Sequence, residues 1–223
     1  MTQQLLPCVE LNPQSTPEAC VIWLHGLGDS GHGFAPIVPE LKLPESMAIK
    51  FIFPHAPERA ITINGGMCMR AWYDIKSLDF NSRADLTGVR ESAELVEQLL
   101  NDQIENGIPA NRIVLAGFSQ GGVIALHLAT RVKHKLAGIL ALSTYLCEPS
   151  LLASEATDTN RETPIMMAHG DLDEVVPVFM GNAAYTTLKE NHFNATWQTY
   201  NMQHNVCMQE LNDISGWLQN VLA

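Results

Sequence analysis

The sequence predicts an α/β protein built on one mostly parallel sheet. Apolar runs of strand length alternate along the chain with segments of helical periodicity, as expected when parallel strands are joined by helical crossovers. Several of these runs are continuously apolar, which is typical of strands that are covered on both faces. The chain has 223 residues, 46% of them hydrophobic. This content suits one layered core, so we expect a single domain over residues 1–223.

Charge and cysteine content restrict the class of partner. The formal net charge of −11 argues against nucleic acids and anionic membranes as partners. Residues 1–7 show no basic region followed by an apolar core, and no later stretch is long enough to span a bilayer. We therefore expect a cytoplasmic protein without integral membrane association. The five widely spaced cysteines lack a C-x-x-C motif, which favours free thiols over disulfides or a zinc site.

The chain begins with a short edge strand predicted near Val9 and a buried strand at residues 20–24. The glycine-rich loop that follows has two interpretations. Three of its glycines, from position 26 onward, match the G-x-G-x-x-G motif of dinucleotide sites. However, Pro36 and Pro39 disfavour a phosphate-binding helix, and the next strand, at 50–54, ends without the acid that would bind a ribose.

We favour the second interpretation, in which this loop stabilises an oxyanion. Glycine freedom would let a backbone N–H, that of Leu27, point at a carbonyl under attack, and the amide of Gln120 would be the second donor. Both contributions come from the backbone, so the side chains of these two residues are not required by the mechanism. We expect His25 to brace the turn rather than to act directly.

Residues 56–82 form an irregular stretch with much apolar surface, including Met67, Met69 and Trp72. These side chains could line an acyl-binding wall, because methionine adapts to flexible chains and tryptophan offers a broad apolar face. They could equally cap the core of the domain. Apolar content alone does not separate the two roles.

The centre of the chain contains a helix, a strand and a tight turn with a serine at its apex. Apolar residues recur at helical spacing from Leu86 to Ile104, and Asn106-Gly107 ends the pattern. The strand that follows runs into the motif Gly117-x-Ser119-x-Gly121. A strained strand-to-helix turn leaves no room for Cβ atoms beside a nucleophile, so this motif predicts a reactive serine above the sheet.

The remaining elements supply candidates for the partners of Ser119. Strands are predicted at 136–143, 164–168 and 195–200, an irregular connection at 144–162 and a closing helix at 208–222. A catalytic acid at the carboxyl end of the strand at 164–168 could be Asp171, Asp173 or Glu174, and spacing alone does not choose among them.

The order serine, acid, histidine leaves two candidates for the base. His204 lies on a strand-to-helix loop, whereas His192 precedes a strand and so lies at the opposite edge of the sheet. We therefore favour His204. The other histidines lack metal-ligand spacing such as H-E-x-x-H, and we expect neither a metal nor a cofactor.

Taken together, these motifs resemble the small carboxylesterases and acyl-protein thioesterases, α/β-hydrolases related to bacterial carboxylesterase and to lysophospholipase-type thioesterases. The likeness covers nearly the whole chain. The segments that carry it are HGLGD at 25–29, PHAP at 54–57, RAWYD at 70–74, NGIP at 106–109, GFSQGG at 117–122, LSTYL at 142–146 and HGDLDEVVP at 169–177.

This resemblance implies an α/β-hydrolase fold with helices on both faces of the sheet and no large cap domain. It places the acid at Asp173, the base at His204 and the oxyanion amides at Leu27 and Gln120. Relatives usually carry serine directly after the histidine, where this chain has Asn205. The pocket residues that we predict are Met67, Met69, Trp72, Leu146 and Val176.

The implied function is hydrolysis of carboxylic esters, and of acyl thioesters, through an acyl-enzyme on Ser119. Lysophospholipase and protein depalmitoylase activities would use the same chemistry, and a lipidated protein could be the substrate. A non-catalytic binding protein on this scaffold is the alternative of a different class. An apolar rim around the site could also support a weak homodimer.

Overall fold

The computed structural model describes residues 5–77 and 84–223. Its strands are β1 (Cys8–Leu11), β2 (Ala19–Leu24), β3 (Ile49–Pro54), β4 (Glu58–Ile61), β5 (Met67–Arg70), β6 (Ile113–Phe118), β7 (Gly138–Leu142), β8 (Ile165–Gly170) and β9 (Ala195–Tyr200). Its helices are α1 (Gly31–Phe34), α2 (Leu86–Glu105), α3 (Gln120–Ala129), α4 (Leu152–Glu155), α5 (Val178–Glu190) and α6 (Met208–Val221). Short 3-10 turns follow α1 and lie before β3, β5, β6 and α4.

Seven strands form one sheet in the order β1-β3-β2-β6-β7-β8-β9. Edge strand β1 runs antiparallel to β3, and the other neighbouring pairs are parallel. The predicted mostly parallel sheet is thus confirmed. Because the carboxyl ends of parallel strands share one edge, the loops after β2, β6, β8 and β9 come together there.

Alternate residues of each strand enter two separate cores. In β2, Ile22 belongs to a core that includes residues of α2, α3 and α5, whereas Val21 belongs to a second core that includes residues of α1 and α6. The strand is therefore buried on both sides and reads as a continuous apolar run. Helices cover both faces as predicted, and the described residues include no large cap domain.

The structure corrects two predictions of local structure. Part of the stretch expected to be irregular is a hairpin, in which β4 pairs antiparallel with β5 across a turn containing Gly65 and Gly66, both at positive φ. Helix α5 was not predicted. Its buried face uses the small residues Gly181 and Ala184, so its apolar periodicity is weak; a Cβ on Gly181 would lie 2.7 Å from the Trp197 side chain.

Among residues 5–77 and 84–223, no helix combines the length and the apolar character that a membrane crossing requires.

Candidate active site

Ser119 occupies a strained turn between β6 and α3. Its φ is 53° and its ψ is −119°, a conformation that non-glycine residues rarely adopt. The flanking glycines are sterically required. A Cβ on Gly117 would lie 2.3 Å from the Gly121 carbonyl oxygen, and one on Gly121 would lie 2.4 Å from that of Leu24. This is the tight turn that the motif predicted.

Backbone and side-chain hydrogen bonds hold the strained turn in place. The N–H of Ser119 donates to Leu142 across 2.8 Å, which ties the turn to the end of β7. The Thr144 hydroxyl donates to the Ser119 carbonyl across 2.7 Å. The N–H of Gly122 donates to the same carbonyl across 3.0 Å. The surrounding fold therefore sustains a backbone geometry that is unfavourable in isolation.

His204 joins Ser119 to a carboxylate. Its Nε2 lies 2.9 Å from Ser119 Oγ, and its Nδ1 lies 2.6 Å from Asp173 Oδ2. The ring packs on Phe118, with the ring centroids 4.7 Å apart. Because a carboxylate accepts at Nδ1, that nitrogen carries the proton and Nε2 accepts from the serine hydroxyl.

Asp173 is 6% exposed, and both of its carboxylate oxygens have partners. Its Oδ1 accepts from the N–H groups of Val175, at 2.9 Å, and Val176, at 2.8 Å. The competing acids Asp171 and Glu174 are exposed. Of the three acids, the structure brings Asp173 to the histidine.

His192, the alternative base, is exposed in the turn between α5 and β9. That turn precedes β9, whereas His204 follows it. The topological prediction that put the two histidines at opposite edges of the sheet is therefore confirmed.

His169 lies beside the triad, and the sequence pattern predicted only a structural role for it. It is fully buried, its Nε2–H donates to the Val176 carbonyl across 2.8 Å, and this nitrogen lies 3.4 Å from Asp173 Oδ2. Burial lowers the pKa of His169, which favours the neutral ring. Its position at the end of β8, two residues before Asp171, was the feature of the sequence that could have indicated its place near the catalytic acid. It supports the loop that carries Asp173.

The glycine-rich loop after β2 approaches Ser119. A Cβ on Gly26 would lie 3.5 Å from Ser119 Cβ, so the loop passes close to the serine at this residue. Leu27 is the next residue of the loop. Gln120 is the first residue of α3, and the first N–H groups of a helix have no partner within the helix. Gln120 thus directly follows Ser119 in the chain, and Leu27 directly follows a glycine that lies against Ser119.

His25 braces the glycine-rich loop, as predicted. Its Nε2 accepts from the N–H of Ala56 at 3.1 Å, so Nδ1 carries the proton and donates to the Gly26 carbonyl at 2.7 Å. Burial lowers the pKa of His25 and favours this neutral form. Its hydrogen bonds join the loop to the chain after β3.

The structure contains a cavity of about 330 Å³. It is formed by the segment after β7 and by α5, and Leu146, Phe179 and Met180 are among its lining residues. Tyr145 also lines the cavity, and it directly follows the threonine whose hydroxyl donates to the Ser119 carbonyl. Leu146, one of the predicted pocket residues, lines this cavity, and its role in binding substrate stays a prediction.

The other predicted pocket residues are distributed differently. Trp72 is 0% exposed and packs in the core, and Val176 is 2% exposed, so neither presents a side-chain surface to a ligand and the pocket prediction is wrong for both. Met69 is half-buried, with Sδ 3.7 Å from the Cβ position of Gly28. Met67 is 63% exposed on the hairpin. Neither methionine lines the cavity described above.

The cysteines take no part in this arrangement. All five are free, as predicted. Burial raises the pKa of the Cys8 and Cys20 thiols to about 12, which keeps them protonated and unreactive at neutral pH.

A mostly parallel sheet, a serine on a strained strand-to-helix turn, and a histidine and a carboxylate on later loops define an α/β-hydrolase of the serine hydrolase class. Residues 8–222 match the family model described as phospholipase/carboxylesterase. The chain belongs to this family and is a serine hydrolase.

Relatives and solved structures agree with this membership. The chain is 44% identical over 210 residues to acyl-protein thioesterase 1 of Neurospora crassa, covering 90% of this chain and 85% of the relative. It is 40% identical over 213 residues to acyl-protein thioesterase 1 of Gibberella zeae, covering 92% and 91%. The crystal structure of Zea mays acyl-protein thioesterase 2 superposes with a TM-score of 0.86 at 30% identity, covering 97% of this chain and 99% of that one.

Proposed function

We propose that the chain hydrolyses carboxylic esters and acyl thioesters through Ser119, His204 and Asp173. The observation that carries this proposal is the continuous pair of hydrogen bonds, 2.9 Å from Ser119 Oγ to His204 Nε2 and 2.6 Å from His204 Nδ1 to Asp173 Oδ2. This is the geometry in which an imidazole can accept the serine proton while a carboxylate stabilises the imidazolium.

In the proposed reaction, Ser119 Oγ attacks the substrate carbonyl as His204 Nε2 takes its proton. The negative oxygen of the tetrahedral intermediate is stabilised by the N–H groups of Leu27 and Gln120, each contributing about 3 kcal/mol. His204 then protonates the leaving alcohol or thiol, and the acyl group stays on Ser119. Water, activated by the same imidazole, releases the acid and restores the serine.

We propose an acyl chain as the substrate group, held in the cavity between the segment after β7 and α5. The lining of the cavity of about 330 Å³ includes apolar side chains such as those of Leu146 and Phe179, beside polar ones such as that of Glu148. Apolar surface in a cavity of this size binds hydrophobic ligand groups. The relatives from Neurospora crassa and Gibberella zeae are named acyl-protein thioesterase 1. We therefore propose lipidated proteins as a substrate class, with lysophospholipids as the alternative carrier of the same acyl ester.

The first experiment is labelling with a fluorophosphonate probe, combined with turnover of p-nitrophenyl esters and acyl thioesters of increasing chain length. We expect wild-type protein to be labelled and Ser119→Ala to lose both labelling and turnover. Preference for a long-chain thioester over the matching lysophospholipid would support the protein substrate. An unlabelled, inactive wild type that binds acyl compounds would instead favour a non-catalytic binding protein.

Three expectations from the sequence stay predictions. We propose that residues 1–223 act as one domain, that the protein is cytoplasmic and that an apolar rim around the site supports a weak homodimer. Limited proteolysis, cell fractionation and sedimentation at several concentrations test them in turn.

A further inference from the structure

The side chain of Gln120 is buried beneath the proposed oxyanion site. We propose that Gln120 is a positioning residue. Its side chain ties the start of α3 to the segment 70–73, which also holds the loop that carries Leu27, and so sets the spacing between the Gln120 and Leu27 amides. The inference rests on the proposed function. It differs from the expectation that only the backbone of Gln120 matters.

The amide of Gln120 makes two hydrogen bonds to the backbone after β5. Its Oε1 accepts from the N–H of Trp72 at 2.8 Å, and its Nε2 donates to the Tyr73 carbonyl at 2.6 Å. Gln120 is 2% exposed, and both partners are buried. A buried amide with a donor and an acceptor both satisfied holds one orientation, because losing either bond leaves a buried polar group without a partner.

The loop carrying Leu27 is tied to the same segment on both sides. The indole N–H of Trp72 donates to the His25 carbonyl at 2.8 Å, two residues before Leu27. The N–H of Gly28 donates to the Arg70 carbonyl at 2.8 Å, one residue after it. Residues on both sides of Leu27 are therefore held by Arg70 and Trp72. The position of Leu27 thus depends on the same segment that the Gln120 side chain binds.

The segment 70–73 is itself fixed to the body of the protein. The Ser92 hydroxyl, from α2, donates to the Trp72 carbonyl. The N–H of Ala71 donates to the Pro57 carbonyl at 3.0 Å. The segment is therefore a rigid spacer between two elements distant in sequence, the loop after β2 and the start of α3.

Fixed spacing matters because oxyanion donors act only when they lie at hydrogen-bond distance from the developing charge. Losing one such donor lowers kcat by about 10²- to 10³-fold, and displacements near 1 Å are costly. Releasing the clamp shifts the donors without removing them. We therefore expect a smaller loss, roughly 10- to 100-fold in kcat.

The test compares Gln120→Met with Gln103→Met, a matched change of a buried glutamine in α2 that is 3% exposed. For Gln120→Met we expect kcat and kcat/KM to fall together by roughly 10- to 100-fold, with KM within about twofold of wild type, since only transition-state binding is lost. Affinity for a trifluoromethyl ketone, which forms a tetrahedral adduct with the serine, should fall by the same factor. Gln103→Met should retain wild-type kcat.

Gln120→Glu gives a second readout that a merely structural role would not move. A protonated carboxyl can reproduce both hydrogen bonds, whereas a carboxylate would face the Tyr73 carbonyl oxygen with no proton between them. The kcat of Gln120→Glu relative to wild type should therefore be at least about fivefold higher near pH 6.5 than near pH 9. This comparison also decides the matter if Gln120→Met does not fold.

The outcomes separate the two proposals. A wild type without fluorophosphonate labelling, or a Ser119→Ala variant with full turnover, would overturn the proposed function. Wild-type kcat and inhibitor affinity in Gln120→Met, or a pH-independent ratio for Gln120→Glu if Gln120→Met does not fold, would overturn the clamp alone while wild type is labelled normally.

Discussion

Replacement of Asp173 by asparagine would separate the electrostatic role of this residue from its structural one. The substitution keeps the size of the side chain. Its carbonyl oxygen can still accept from the N–H groups of Val175 and Val176, which lie 2.9 and 2.8 Å from Oδ1. The amide NH₂ would then face His204 Nδ1 in place of the carboxylate oxygen now 2.6 Å away.

That change reverses the proton arrangement of the imidazole. An amide donor requires Nδ1 to accept, so the ring proton moves to Nε2, which then cannot take the proton of Ser119. We expect kcat to fall by about 10⁴-fold, corresponding to about 5.5 kcal/mol of transition-state stabilisation. Because the backbone donors keep their acceptor, we expect the free energy of unfolding to change by less than about 2 kcal/mol.

The assay is turnover of a short p-nitrophenyl ester, with urea unfolding as the measure of stability. Asp171→Asn and Glu174→Gln are the matched controls, since each removes one carboxylate from the same loop at an exposed position. They should keep kcat within about threefold of wild type. A loss below about tenfold for Asp173→Asn, or an equal loss in a control, would refute the assignment of Asp173 as the catalytic acid.

Three further predictions concern packing, pH and chain length. Gly121→Ala should abolish soluble folded protein because its Cβ would lie 2.4 Å from a backbone oxygen. Gly216→Ala, with nothing within 4 Å of its Cβ, should raise the free energy of unfolding by about 1 kcal/mol. A soluble Gly121→Ala protein with the same unfolding curve as Gly216→Ala would contradict the steric argument. Burial raises the pKa of Glu210 from 4.5 to about 8, so the folded state keeps a proton that the unfolded state releases, and stability should fall as pH rises through that window. The stability of Glu210→Gln, measured by thermal unfolding, should not decline in this pH range. Parallel curves of stability against pH for the variant and wild type would contradict the prediction. Leu146→Trp should fill part of the cavity and lower kcat/KM by about tenfold or more for esters with acyl chains of about twelve carbons, while kcat/KM for acetate esters stays unchanged. An equal loss of kcat/KM at every chain length would exclude the cavity as the acyl site.

Most of the central sheet was predictable because β2, β6, β7 and β8 are buried on both faces and read as continuous apolar runs, whereas edge strand β9 alternates buried and more exposed residues. The strand expected at 195–200 is β9, and the helix expected from Leu86 to Ile104 is α2, which ends at Glu105 before Asn106-Gly107. Helix α5 escaped prediction because the face it buries relies on small residues and close packing. The β4–β5 hairpin escaped because its strands are short and largely exposed.

The candidate site shows the same division. Ser119 and His204 were predicted from a motif and from topology, since a serine turn and a late strand-to-helix loop meet at one edge of a parallel sheet. Choosing Asp173 over its neighbours required the resemblance to a family, because three acids lie within four residues. In the structure that choice agrees with burial and with the hydrogen bond to His204.

By itself, the sequence determined the elements that carry their signal locally: the buried strands, the glycines of the serine turn, and the order of serine, acid and histidine along the chain. Only the tertiary structure decided which side chains meet. It placed Trp72 in the core and the Gln120 amide against the segment 70–73. The reason is physical, because hydrogen bonds and packing between segments dozens of residues apart depend on distances that no local pattern records.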